Sequence, residues 1–177
     1  MKRWFLLAFM VVAGVVVRAD DPGLNVTPIA RDGRVLVSFE LTNAFTSDVR
    51  DAIQSGLPTT FSYELELRRV APTWFDRTIA AVALTATVRF DNLTRRYQMS
   101  RTVDGRVDDA RPTEDPDLVR RWMTRFDRVS LSATSTLDAN GDYYVRVRAH
   151  ARTRNTWFVW PWERGSVFGL AKFTFIP

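Results

Sequence analysis

Thr59-Thr60-Phe61-Ser62-Tyr63-Glu64-Leu65-Glu66-Leu67-Arg68-Arg69, TTFSYELELRR, alternates apolar and polar side chains through most of its length. Successive side chains of an extended chain leave opposite faces, so Phe61, Tyr63, Leu65 and Leu67 share one side and Ser62, Glu64, Glu66 and Arg68 the other. One face suits a core and one suits water. The pattern returns upstream in RVLVSFEL, where Val35, Val37, Phe39 and Leu41 lie opposite Arg34, Ser38 and Glu40. Downstream, Val82, Leu84, Ala86, Val88 and Phe90 form a third apolar row, and Leu93, Tyr97 and Met99 a fourth. Repeated one-sided alternation is the mark of antiparallel sheet. The expected fold is mainly β: one antiparallel sheet of about seven to nine strands, curled or folded as a sandwich, with two short helices packed on it. A closed, lipocalin-like barrel is the alternative.

Two segments break the alternation with helical signals. TSDVRDAIQSGLP offers Thr46 or Ser47 as a cap, Asp48 near the positive end of the helix dipole, Gly56 as a left-handed stop and Pro58 beyond it. EDPDLVRRWMTRFD offers Asp115 as cap, Pro116 at the first helical position and an apolar stripe of Leu118, Val119, Trp122, Met123 and Phe126. Between Asp104 and Glu114 the chain is polar and carries Gly105 and Pro112, which predicts a surface loop. In VSLSATSTLDANGDYYVRVRAHARTR a hairpin is expected, closed by the three-residue loop Ala139-Asn140-Gly141 with Gly141 left-handed. That register pairs Leu137 with Tyr143 and Ala133 with Val147, and it keeps charge off the apolar face.

The N-terminus, MKRWFLLAFMVVAGVVVRADD, places Lys2 and Arg3 before an uncharged run from Trp4 to Val17 and then Val17-Arg18-Ala19. This order predicts a secretory signal over residues 1–19, cleaved after Ala19, with export to the periplasm or cell envelope. The apolar run would reach only ~21 Å as a helix against a hydrocarbon core of ~30 Å, so a retained anchor is the weaker expectation. The remainder, 20–177, has the length of one domain and shows no linker or repeat. With no cysteine in the chain, neither a disulfide nor a lipid-modified cysteine can hold it. The formal charge of +5 falls to +2 once Lys2, Arg3 and Arg18 are removed, leaving 22 basic against 20 acidic residues. That balance argues against a nucleic-acid partner.

Candidate chemistry is sparse. His150 is the only histidine, so any catalytic triad or histidine metal site must use it, yet it falls on the polar face of a strand between Arg148 and Arg152. No nucleophile elbow, His-Glu-x-x-His or phosphate loop is present. Asp138, Asn140 and Asp142 begin like a calcium loop, but Tyr143 stands where the loop needs glycine, and turn chemistry accounts for them. Glu64 and Glu66 lie about 6.5–7 Å apart on one strand face, a spacing open to paired-carboxylate chemistry. Ion pairing with arginines on an adjacent strand explains them better. No metal, cofactor or enzymatic activity is expected.

Two surface features remain. Tyr144, Arg146, Arg148, His150, Arg152 and Arg154 occupy every second position of one strand, so four guanidinium groups line a stripe ~25–30 Å long. Arg146, Arg148, Arg152 and Arg154 are candidate contacts for anionic head groups or an acidic partner, set against the plainer reading of a solvated, charge-balanced face. WFVWPWERG holds Trp157, Trp160 and Trp162, three of the six tryptophans. Both faces of that segment are apolar and Pro161 bars a central strand, which favours an end closure over a ligand or membrane patch. The three tryptophans stay on the candidate list as ligand or partner contacts.

Val37 to Arg69, VSFELTNAFTSDVRDAIQSGLPTTFSYELELRR, together with WFDRTIA, YQMSRTVDGR and the C-terminal KFTFIP, resembles an exported bacterial family, domain of unknown function 4390. The signature is Ala52 to Pro58 entering a long strand, then Trp74 to Arg77. The resemblance implies a β-rich envelope protein whose relatives are often encoded near a membrane sensor kinase, and it supplies no catalytic residues. The expected function is a non-enzymatic envelope interaction module with a protein partner, such as an envelope or membrane sensor protein, in sensing or assembly. The alternative is a carrier or membrane-contacting protein for an amphipathic anion.

Overall fold

In the computed structural model, which describes residues 21–71, 75–153 and 166–176, the alternating rows become strands. Strand β1 (Gly23–Arg31) and β2 (Arg34–Thr42) form a hairpin, followed by helix α1 (Ser47–Gln54). Then come β3 (Thr59–Arg69), β4 (Arg77–Asp91), β5 (Arg96–Val103) and β6 (Arg106–Thr113). Helix α2 (Pro116–Thr124), β7 (Arg125–Ala133), a 3₁₀ turn (Thr134–Thr136), β8 (Asp142–Thr153) and β9 (Val167–Thr174) complete the order. The strands build two antiparallel sheets, β1-β2-β7 and β6-β5-β4-β3-β8-β9. This is a sandwich of unequal layers, not a closed barrel.

The two layers meet where the apolar rows were read. Val35, Val37, Phe39 and Leu41 of β2 are buried, as are Phe61, Tyr63, Leu65 and Leu67 of β3 and Leu84, Ala86 and Val88 of β4. Phe39, Tyr63 and Phe126 join the layers, with ring centroids 4.9–5.1 Å apart. The Tyr63 hydroxyl donates to the Met123 carbonyl at 2.6 Å, which satisfies a polar atom in the middle of the core. Burial holds the Tyr63 phenol far above its ordinary range.

Both helices start as their sequence signals require, and α1 also stops so; α2 ends at Thr124, and Phe126, read as the last residue of its apolar stripe, belongs instead to β7. Thr46 caps α1 by accepting from Val49 N, and Gly56 takes φ +85° while Leu57 N closes onto the Ala52 carbonyl at 3.2 Å. Asp115 caps α2 through Asp117 N at 2.8 Å, with Pro116 at the first position. Helix α2 touches strands of both layers, β4, β5 and β6 of the larger sheet and β2 and β7 of the smaller one, and buries Val119, Trp122 and Met123.

Several expectations are corrected. The stretch read as a surface loop before Glu114 contains β6, an edge strand paired with β5 and entered by the two-residue turn Asp104-Gly105, φ 47° and 78°. Pro112 is compatible with it because an edge strand has one side without ladder bonds. The hairpin expected around Asn140 does not form: β7 pairs with β2 in the other sheet, and β8 lies between β3 and β9. The cause is the spacing of the inward residues of β7. Phe126, Val129 and Leu131 do not alternate strictly, a bulge at Arg128 (φ 53°) absorbs the mismatch, and Phe126 is thereby stacked on Phe39. Asn140, not Gly141, is left-handed, with φ 58°. Leu93 sits in the β4–β5 turn and is exposed, so the fourth apolar row begins at Tyr97.

Close to the C-terminus, β1 crosses the inner side of β9. A Cβ added to Gly169 would stand 2.5 Å from the Leu24 carbonyl oxygen, so glycine is what allows the two backbones to touch.

Candidate functional site

The outward rows of β3, β8 and β9 form one continuous charged and apolar face. Register places Glu64 opposite Arg148, Glu66 opposite Arg146 and Arg68 opposite Tyr144. On the other side of β8, Arg148 lies opposite Phe168, Arg146 opposite Leu170 and Tyr144 opposite Lys172. Arg146 donates to Glu66 at 2.6 Å, and Arg148 approaches Glu64 at 4.0 Å. The glutamates that resembled a catalytic pair are therefore held by arginines of the adjacent strand, as their cross-strand positions predict.

The lower end of this ladder is the tighter one. Arg68 approaches the same Glu66 oxygen at 3.9 Å, donates to the Asp76 carbonyl at 2.9 Å and lies over the Tyr144 ring at 5.9 Å. The Tyr144 hydroxyl donates to Asp76 Oδ2 at 2.8 Å, and Ala71 N donates to Oδ1 at 3.2 Å. These two donors hold the Asp76 carboxyl below its usual range, while desolvation and then the Asp76 bond raise the Tyr144 phenol. Among the described residues, Arg68 Nε and Arg146 Nε are buried without a hydrogen-bond partner. Next to this ladder, Phe168 is 69 % exposed and Leu170 50 % exposed, with Lys172 exposed beyond them.

Of the sequence candidates, Arg146 and Arg148 are brought together on this face. Arg152 continues β8 opposite Thr60. Arg154, Trp157, Trp160 and Trp162, like the N-terminal segment 1–19 and Trp74, lie outside the described residues. His150 stands opposite Ser62. Among the depressions lined by ionisable groups, one lies around Glu40, Arg125 and Asp127 and another around Arg69, Arg77 and Asp138. Each holds an ion pair, Arg125–Asp127 at 3.2 Å in the first and Arg69–Asp138 in the second. Among the described residues, no three His, Cys, Asp or Glu side chains are grouped as a metal site would need.

Sequence reasoning missed Arg101, Phe168 and Leu170. Arg101 continues the inward row of Tyr97 and Met99 on β5, and its guanidinium lies 4.4 Å from the Trp122 ring centre and 4.0 Å from that of Phe126. It donates to the Trp122 carbonyl at 2.5 Å and to the Arg125 carbonyl at 2.6 Å, closing the C-terminal end of α2. Burial lowers its pKa. An arginine at an apolar position of an alternating row was the available signal. For Phe168 and Leu170 the sequence carried no such signal, because VFGLAKFT is apolar on both faces of the strand.

The fold and this face define a two-layer antiparallel β-sandwich whose larger sheet carries charge-paired rows on its outside. A family model described as a domain of unknown function (DUF4390) matches residues 24–156, and the chain belongs to that family. The matched span begins at the second residue of β1 and ends just past β8. Neither a curated protein nor a solved structure matches the chain.

Proposed function

We propose that this protein is an exported, non-enzymatic interaction module of the cell envelope that binds a protein partner through the outer face of β8 and β9. The observation that carries this is the pair Phe168 and Leu170, large apolar side chains at alternate positions of an edge strand, exposed beside Arg146 and Arg148. Apolar anchors rimmed by charge are what a protein interface uses. The charge, apolar run and small residues of segment 1–19 support export, and a single histidine with no cysteine supports a non-catalytic role. An envelope or membrane sensor protein is the partner class we favour. The carrier reading draws on the same residues and ranks second, because Arg146 and Arg148 already face carboxylates and have less charge to offer an anion.

The test is a photo-crosslinking residue placed at Phe168 in living cells, with Leu93 as a control position exposed on a different part of the surface. One dominant protein adduct from position 168, absent from position 93 and lost when Leu170→Asp is added, is the expected outcome. Equal labelling from both positions would overturn the reading. Adducts to lipid alone would move the carrier reading to first place.

A further inference from the structure

Among the described residues the sandwich has four edge strands, and they are not equally protected. Strand β6 carries Asp108, Asp109 and Pro112 and a bulge against β5. Strand β7 has the left-handed Arg128 and two register shifts. Strand β1 contains Pro28 and lies against Gly169. Prolines, charges and bulges of this kind are what keep an edge from pairing with another chain. Strand β9 has none of these beyond a single charge, Lys172, and it runs eight residues in unbroken register with β8.

Hydrogen-bond phase shows which groups β9 offers. Phe175 N donates to the Gly141 carbonyl at 3.0 Å, and Val70 N donates to the Asp142 carbonyl at 3.0 Å. In antiparallel pairing such bonds recur at alternate residues, so the odd-numbered residues of β9 bond to β8. Phe168, Leu170 and Lys172 therefore turn their N–H and C=O groups toward the edge that no described strand covers, and their side chains lie on the outer face. Main-chain donors, main-chain acceptors and apolar contacts are supplied by the same alternate positions.

We infer that β9 is a strand-addition site for an extended, acidic-apolar segment of a partner protein. The inference rests on the interaction reading above and gives it a binding mode. Antiparallel addition continues the sheet and sets the partner pattern as acidic-x-apolar-x-apolar: the acidic side chain opposite Lys172 and the apolar ones opposite Leu170 and Phe168. Charge complementarity selects this occupant. Arg146, Arg148 and Arg68 already have carboxylates within 4.0 Å, whereas Lys172 has none that close among the described residues and feels the Asp76 carboxylate only from farther away. A second copy pairing antiparallel about Leu170 would set Phe168 opposite Lys172 and leave that cation unmatched.

The probe is a synthetic peptide, Thr-Glu-Thr-Val-Thr-Val-Thr, titrated into the isotope-labelled protein and followed by backbone amide NMR. Saturable shifts are expected at residues 168–172. Leu170→Pro, which deletes an N–H not used by β8, should weaken binding roughly tenfold with the rest of the spectrum unchanged. Replacing the peptide glutamate by lysine should weaken binding to the native protein and strengthen it to Lys172→Glu. That second variant keeps the test valid even if the proline unsettles the strand. Absence of saturation by millimolar peptide, or no reversal with Lys172→Glu, overturns the inference. So does a dimer in sedimentation that Leu170→Pro dissolves, which would assign the edge to a second copy. If the peptide fails while crosslinking from Phe168 persists, strand addition falls and the interaction reading stands.

Discussion

Arg101 shows how one side chain can be at once legible and unread. Its place in the β5 row follows from alternation, but what an inward arginine does there depends on α2, which arrives from a distant part of the sequence and brings two carbonyls and two rings. Arg101→Met would keep the stem and remove the donors, leaving the Trp122 and Arg125 carbonyls poorly satisfied. A loss of about 2–3 kcal/mol is expected from urea denaturation. Arg101→Lys should recover only part of it, since an ammonium cannot span both carbonyls while lying flat on a ring. An unchanged midpoint for the Met variant would remove Arg101 from the account of stability. The Glu66–Arg146 pair was readable earlier because both residues belong to strands whose polar faces were clear.

At the level of elements, caps and stops were the surest signals, since their chemistry is local. Thr46, Gly56, Asp115 and Pro116 all act where they were placed. Gly56→Val would force a β-branched side chain to φ +85° and bring its Cβ to 3.3 Å from Asn92 Nδ2. A cost of roughly 1 kcal/mol or more should appear as a lower melting temperature. No shift would mean that the end of α1 is held by something other than its cap. Strands β1 and β6 were not anticipated, although Asp32-Gly33 and Asp104-Gly105 are strong two-residue hairpin signals and both adopt the left-handed pair. The misassigned hairpin is a different matter. Local turn chemistry near Asn140 was real, but the partner of β7 was decided by where Phe126 could be buried.

For the whole molecule, the mainly β class was open to reading because β2, β3 and β4 declared which face they bury. The division into layers of three and six was not, because strand partners are chosen by packing between segments far apart in the chain. Gly169 is the point where that division becomes a contact between backbones. Gly169→Ala should push β1 off β9 and lower stability by about 1–3 kcal/mol, as overpacked sites do. The measurable sign is faster amide exchange in both strands. Exchange confined to β9 would show that the layers do not depend on this approach.

The contact between Leu24 and Gly169 also sets a clock. It joins the first of the described strands to the last, so closing it spans most of the described chain and has to wait until β9 has been made. During synthesis β1 can pair with β2 long before β9 exists, so the stretch of β1 around Leu24 keeps its inner side uncovered until β9 has been added to the larger sheet.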